Sequence, residues 1–114
     1  MDNCIFCKII NRELPSTVVY EDDRVMAFKD INPEAPVHVL IVPKEHIKDL
    51  NNVDSRSAGY IVDIHMAAKK IAEKLGIAES GYRLINNCGE DGGQTVFHIH
   101  YHLVGGRKLS TKIL

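Results

Sequence analysis

Val96-Phe97-His98-Ile99-His100-Tyr101-His102-Leu103-Val104 is the stretch that decides how this chain is read, because three histidines recur with a period of two among β-forming residues. On a strand, His98, His100 and His102 fall on one side, and Phe97, Ile99, Tyr101 and Leu103 form an apolar strip on the other. The spacing predicts one core face and one face of imidazoles. Their backbone origins stand about 6.6 Å apart, two strand rises, so all three can reach one phosphate-sized ligand or one metal ion. Three side chains that each titrate near pH ~6.5 are hard to explain as packing. The plain alternative is a solvated strand face rich in histidine.

Working outward, Asn87-Cys88-Gly89-Glu90-Asp91-Gly92-Gly93-Gln94 is a Gly-rich turn leading into that strand, and Tyr82-Arg83-Leu84-Ile85-Asn86 before it is another strand. From Asp54 to Leu75, Ile61, Ile64, Ala68, Ile71, Ala72 and Leu75 follow helical spacing, with Asp54 or Ser55 as N-cap and Gly76 past the end. Val37-His38-Val39-Leu40-Ile41-Val42 is too continuously apolar for an exposed edge strand and is stopped by Pro43. Asp30-Ile31-Asn32-Pro33-Glu34-Ala35-Pro36 is a rigid loop. Val18–Glu21 and Val25–Phe28 form a hairpin about Asp22-Asp23-Arg24. Residues 4–14 form a short helix with Ile5, Phe6, Ile9 and Ile10 at helical spacing, ended by Leu14-Pro15. Strands joined mainly by turns, with one long and one short helix inserted, indicate an α+β fold on an antiparallel sheet.

The 114 residues are read as one domain, 1–114, large enough for a modest core. Hydrophobic residues make up 45% and charged residues 25%, and the formal net charge of −1 comes without a basic cluster, so polymeric nucleic acid is an unexpected partner. The N-terminus lacks a basic n-region, and Lys8 and Asn11 break its apolar run, which argues against a signal peptide. No window approaches a membrane span, and a cytoplasmic location is expected. Three cysteines in that compartment point to thiols or metal ligation rather than a disulfide framework.

Three readings of the histidine strand compete. His-x-His with a third histidine such as His38 could hold a catalytic zinc with an open position. Alternatively, one imidazole attacks phosphorus while the others bind phosphate oxygens and position the leaving group. The third is a phosphate-binding surface without chemistry. Gly89, Gly92 and Gly93 allow positive φ and close backbone approach, so amides of the turn could cradle phosphate, with Thr95 and the Asn87 amide as further donors. Such a pocket suits phosphate better than zinc hydroxide. Only His100 has helpers on both sides, which makes it the candidate nucleophile and His98 and His102 its flanking supports. His38, in an apolar strand, could equally be a satisfied core histidine.

The run His98-Ile99-His100-Tyr101-His102-Leu103-Val104 resembles the signature of the histidine-triad superfamily. Phe6-Cys7-Lys8-Ile9-Ile10, Glu21–Arg24, Ala27–Pro33, Ala35–His38, Val42–Ile47 and Gly92–Phe97 resemble its nucleotide-binding, phosphoramidase branch. The resemblance implies a histidine-triad fold forming a two-fold homodimer through its sheets. It implies hydrolysis of purine nucleoside phosphoramidates or adenylylated compounds through a covalent nucleotidyl intermediate at His100. His102 and His38 would complete the phosphate and leaving-group environment, and Thr95 stands where a serine is usual. Either hydroxyl can donate, so the departure is mild. Asp30 would accept from the ribose hydroxyls. Phe6, Ile9 and Ile31 would line the purine pocket, and Asn87, Gly93 and Thr95 would contact the α-phosphate beside His100 and His102. An AMP- or GMP-type substrate follows, with no organic cofactor, membrane or nucleic acid polymer.

By the same resemblance, Cys4 and Cys7 with His46 and His98 would form a closed tetrahedral zinc site, the alternative being two reduced thiols on the first helix. His98 would then be structural rather than catalytic. Residues 108–114 lack the tryptophan-bearing tail of some relatives, which leaves the leaving-group preference open. Two rivals stand beside the hydrolase: a nucleotide-binding regulatory scaffold with vestigial hydrolysis, and a zinc-dependent metallohydrolase using the histidine row.

Overall fold

The computed structural model describes residues 3–114; Met1 and Asp2, the start of the segment read against a signal peptide, lie outside them. In chain order the elements are α1 (Ile5–Ile10), β1 (Val18–Glu21), β2 (Val25–Lys29), β3 (Val37–Pro43), a 3-10 turn (Leu50–Asn52), α2 (Ala58–Lys74), β4 (Tyr82–Asn86) and β5 (Tyr101–Gly105). The strands form one antiparallel sheet in the order β1-β2-β3-β5-β4, so β5 is inserted between β3 and β4. This is the expected α+β architecture with one long and one short helix. No helix among the described residues is long and apolar enough to cross a membrane.

The sheet is covered on both faces, which explains the unbroken apolar run of β3. On one face Val25, Ala27, Val39, Ile41, Tyr101 and Leu103 pack under Ile64, Ala67, Ala68 and Ile71 of α2. On the other, Met26, Phe28, Leu40 and Val42 pack against Phe6 and Ile9 of α1. Gly76 ends α2 with φ +76°, where its N–H donates to the Glu73 carbonyl (3.2 Å) and that of buried Ile77 to the Ala72 carbonyl (2.9 Å). That pair of bonds caps two carbonyls that the helix leaves open.

Three boundaries differ from expectation. The regular turns of α2 begin at Ala58 with Ser57 as N-cap, not Asp54 or Ser55. The Asp54 carboxylate instead accepts from the amides of Arg56 and Ser57 (both 3.0 Å) and organises a preliminary turn. The first helix closes at Ile10, because Arg12 takes a left-handed conformation (φ 65°) and the chain turns back on Lys8.

The third difference concerns the histidine strand, which is laddered only from Tyr101. Ladder bonds are replaced upstream: the Asn86 side chain donates to the His100 carbonyl (3.0 Å), and the Ile99 amide donates to the Ile47 carbonyl (2.6 Å). Alternation persists for Ile99, Tyr101 and Leu103, all buried, but Phe97 is 42% exposed and leaves the predicted apolar strip. His98 and His100 are therefore aimed individually instead of standing in a uniform row.

Candidate functional site

Neighbouring groups, mostly backbone, fix which nitrogen of each ring carries the proton. The amide of Glu34 donates to His38 Nδ1 (3.0 Å), so neutral His38 carries its proton on Nε2. That Nε2–H points at His102 Nδ1, 2.9 Å away, which places the His102 proton on its own Nε2. His100 Nδ1 lies 2.8 Å from the His98 carbonyl, which can only accept, so Nδ1 is protonated and Nε2 keeps a lone pair. The His98 Nε2–H donates to the Pro43 carbonyl (2.9 Å), leaving Nδ1 with its lone pair.

Burial pushes the His102 pKa down to about 4, with His100 and His38 adding to the effect, and pushes His98 down to about 4 as well. His100 is lowered for the same first reason; its ring meets the edge of Phe6 at a centroid distance of 5.0 Å. Asp30 Oδ2 stands 3.4 Å from His38 Nε2, while Oδ1 accepts from the Asn32 amide (2.8 Å) in a local turn.

His98 faces a separate cluster. Its Nδ1 lies 3.4 Å from Cys4 Sγ and 3.5 Å from Cys7 Sγ, and His46 Nδ1 lies 3.4 Å from Cys7 Sγ. All four ligating atoms fall within 4.8 Å of one another. A tetrahedral zinc, with bonds of about 2.3 Å to sulfur and about 2.05 Å to nitrogen, sets S and N about 3.6 Å apart. The donor set fits such an ion, and the Pro43 carbonyl holds His98 in the tautomer a metal needs. Burial and then the adjoining Cys4 sulfur push the Cys7 thiol up to about 11.

Asp30, His38 and His102 also bring three potential ligand atoms within 4.8 Å. Their protons oppose a metal: His38 Nε2 carries hydrogen and His102 Nδ1 receives it, so neither offers a free lone pair.

Two depressions adjoin the group of Asp30, His38 and His102. An apolar cleft of about 670 Å³ is lined by Phe6, Ile9, Phe28 and Leu40, with Asp30 and Ile31 at its end. Ile31 is 91% exposed, so it forms the rim rather than the wall. On the other side a cleft of about 350 Å³ runs from His38 and His102 over Ile85 and Asn87 to Arg83 and Arg107. Thr95 is exposed and lines a third depression with Cys4, His46 and Phe97, away from His102.

Comparison with known proteins agrees with this geometry. The HIT domain model matches residues 11–109. The chain belongs to the HIT domain family. The purine nucleoside phosphoramidase of Escherichia coli K12 is 52% identical over 108 residues, covering 95% of this chain and 91% of that protein. Among solved structures, a HIT family hydrolase from Clostridium thermocellum superposes with a TM-score of 0.98 at 64% identity, covering 100% of this chain and 99% of that one. A histidine triad protein from Clostridium difficile gives 0.94 at 53% identity, with 98% and 96% covered. This HIT domain is a hydrolase.

Within the HIT domain, His100, His102, His38 and Asp30 converge as the sequence suggested, and Cys4, Cys7, His46 and His98 converge separately. The expected phosphate cradle is different. The amides of Gly92, Gly93 and Gln94 are spent inside the turn, on the carbonyls of Gly89, Glu90 and Gly89, and one Asn87 donor is spent on the Gly92 carbonyl (2.8 Å). Gly89 and Gly93 do take positive φ (+76° and +86°), whereas Gly92 is needed because a Cβ there would stand 2.4 Å from the Cys88 carbonyl oxygen.

Sequence reasoning missed the role of buried Gln94. Its side chain accepts from the Gly89 amide (2.8 Å) and donates to the carbonyls of Lys48 (2.9 Å) and Val96 (3.0 Å), stapling the turn to the loop after β3. A glutamine between a Gly-Gly pair and a hydroxyl residue was the only signal. The amide of Glu34 and the carbonyls of His98 and Pro43 carried none.

Proposed function

We propose that this hydrolase cleaves the bond between the α-phosphorus of a purine nucleotide and an N- or O-linked leaving group, through a nucleotidyl-His100 intermediate. The observation that carries the reading is the His100 Nδ1–H committed to the His98 carbonyl at 2.8 Å, which leaves Nε2 unprotonated on a ring 5.2 Å from that of His102. A neutral imidazole oriented in this way is a nucleophile that needs no prior loss of a proton. Nε2 attacks phosphorus, the leaving group departs while accepting a hydrogen bond from the His102 Nε2–H and taking its proton from solvent, and water then hydrolyses the phosphorus–nitrogen bond to His100. His38 is the positioning residue that keeps His102 a donor toward the leaving atom.

The purine would occupy the apolar cleft against Phe6, Ile9 and Phe28 with Ile31 at the rim, and Asp30 would accept from the ribose diol, as a carboxylate suits two donors. The name of the Escherichia coli relative supports this substrate class. Asn87 and Thr95 would meet the α-phosphate through the donors the turn leaves free, with Gly93, whose amide is spent on the Glu90 carbonyl, allowing close backbone approach. Cys4, Cys7, His46 and His98 would hold a structural zinc that ties α1, the loop after β3 and the histidine segment together. The zinc-hydroxide rival is disfavoured, because protons occupy the gaps between Asp30, His38 and His102.

Two copies would join through β4, an edge strand of the sheet, with Val62 and Met66 of α2 as exposed apolar side chains available to the same contact. Three free cysteines suit a reducing cytoplasm, and the HIT domain match over residues 11–109 suits a single domain.

The decisive experiment is mass spectrometry of rapidly quenched protein mixed with an adenosine phosphoramidate. A transient adduct of one nucleotidyl mass on the wild type, absent from His100→Asn together with a loss of turnover by several orders of magnitude, is the expected result. Tight nucleotide binding without turnover or adduct would replace the hydrolytic reading with a binding scaffold.

A further inference from the structure

We propose that the cleft beside His38 and His102 is a leaving-group subsite selective for an oxyanion, held by Arg83 and Arg107; this rests on the hydrolytic reading above. Register places Arg83 on the site face. His38 pairs across from Val104 and Val104 from Arg83, so the three share one row of the sheet, and His102 and Ile85 share the next. Two strand spacings put the Arg83 backbone about 10 Å from that of His38, a gap that a guanidinium and an amino-acid-sized group can span. The cleft between them has a volume of about 350 Å³ and opens directly off the His38–His102 pair.

Its charge is uncompensated. Every other residue here that forms an arginine ion pair, Arg12, Arg24 or Arg56, has a carboxylate partner, yet among the described residues Arg83 and Arg107 have none. Arg83 donates to the Ser110 carbonyl, and Arg107 makes long bonds to the carbonyls of Glu34 (3.4 Å) and Lys108 (3.3 Å). Backbone carbonyls orient a guanidinium without neutralising it. Arg83 is half-buried among Ile85, Val104 and Leu109, where a charge is less screened than on an open surface. The side chain of Glu34 is exposed at the rim and pairs with neither arginine. A carboxylate or phosphate on the leaving group would supply the missing acceptor in charge-assisted, bidentate geometry.

The test compares adenosine 5′-phosphoramidates of 4-aminobutyrate, of its neutral carboxamide and of phosphoethanolamine, read as ratios of kcat/KM within each protein. Wild type should prefer the better oxyanion substrate over the carboxamide by about tenfold or more. Arg83→Gln should bring that ratio to within about threefold of one, and Arg107→Gln should lower it partway. The carboxylate and phosphate arms identify which oxyanion the site takes. A wild-type ratio near one, or a ratio unmoved by both substitutions, overturns the proposal. AMP affinity and sedimentation report whether each variant keeps its nucleotide cleft and assembly; if Arg83→Gln fails these, the wild-type ratio and Arg107→Gln decide. Failure of all three compounds to turn over would instead remove the hydrolytic reading beneath it.

Discussion

Around Cys4, Cys7, His46 and His98 four ligand atoms face one another, whereas a proton fills the gap between His38 and His102 and another commits His100 Nδ1 to a carbonyl. Both regions are built from the same residue type, and His98 and His100 stand two residues apart on one segment. The difference lies in the backbone. A carbonyl takes the Nε2–H of His98 and turns its Nδ1 toward two sulfurs; a carbonyl takes the Nδ1–H of His100 and leaves its Nε2 with a lone pair. One arrangement invites a cation and the other repels it, leaving a single nucleophilic lone pair. A tautomer is thus a structural assignment made by neighbours, and it separates metal-binding from covalent chemistry where composition cannot.

The largest expected effect comes from breaking the first region. With free zinc at about 1,000 times its dissociation constant, metal should add about 4 kcal/mol to the stability of the wild type. Cys7→Ser should abolish that increment, reducing bound zinc from one per chain to none by metal analysis. If zinc also reverses when His38 or His102 is replaced while Cys7→Ser still binds it, the two regions have been assigned the wrong way round.

His38→Phe tests the second region. It removes the donor that fixes His102 while keeping a ring of similar size in the strand. The variant should lose about 100-fold in kcat/KM, the low end of general acid–base effects, without losing zinc. Because a structural defect would also slow turnover, the pH profile is the informative readout. With His38 Nε2–H gone, His102 can take a proton on Nδ1, and the acid limb of kcat should move toward higher pH. An unchanged limb would mean that His38 only fills space.

How much of this was written in the residues follows the same division. The two periodicities, β3 as a two-sided apolar strand and α2 as an amphipathic helix closed by Gly76, are local patterns and were read correctly. The histidine row was readable from its period of two, whereas Asp30, and the grouping of Cys4 and Cys7 with His46 and His98, came only from the resemblance, and His38 could equally have been a core histidine. The uniform imidazole row was not obtained, since Asn86 and Ile47, distant in sequence, replace the ladder bonds above Tyr101. The phosphate cradle failed for a related reason: glycine signals where backbone can bend, not whether its amides remain free. Arg83 escaped notice because only the register of β4 against β5 brings it to the site face.

The smallest expected effect separates neutral from charged histidine by stability rather than activity. His102 titrates at about 4 in the folded chain against about 6.5 when unperturbed. Between these values the unfolded chain binds a proton that the folded chain refuses, so this residue lowers stability as pH falls from about 6.5, and its cost stops growing below about 4. Urea unfolding at a series of pH values, with chelator present so that zinc does not contribute, should show a shallower decline for His102→Asn across that window and near-equality above it. The sign is diagnostic. An imidazolium held by Asp30 would raise the folded pKa and make stability rise as pH falls, and His102→Asn would then remove a gain rather than a loss. The donor from His38 at 2.9 Å leaves no room for a second proton on that axis, so the decline should belong to burial, and the carboxylate 3.4 Å from His38 should be unable to rescue it.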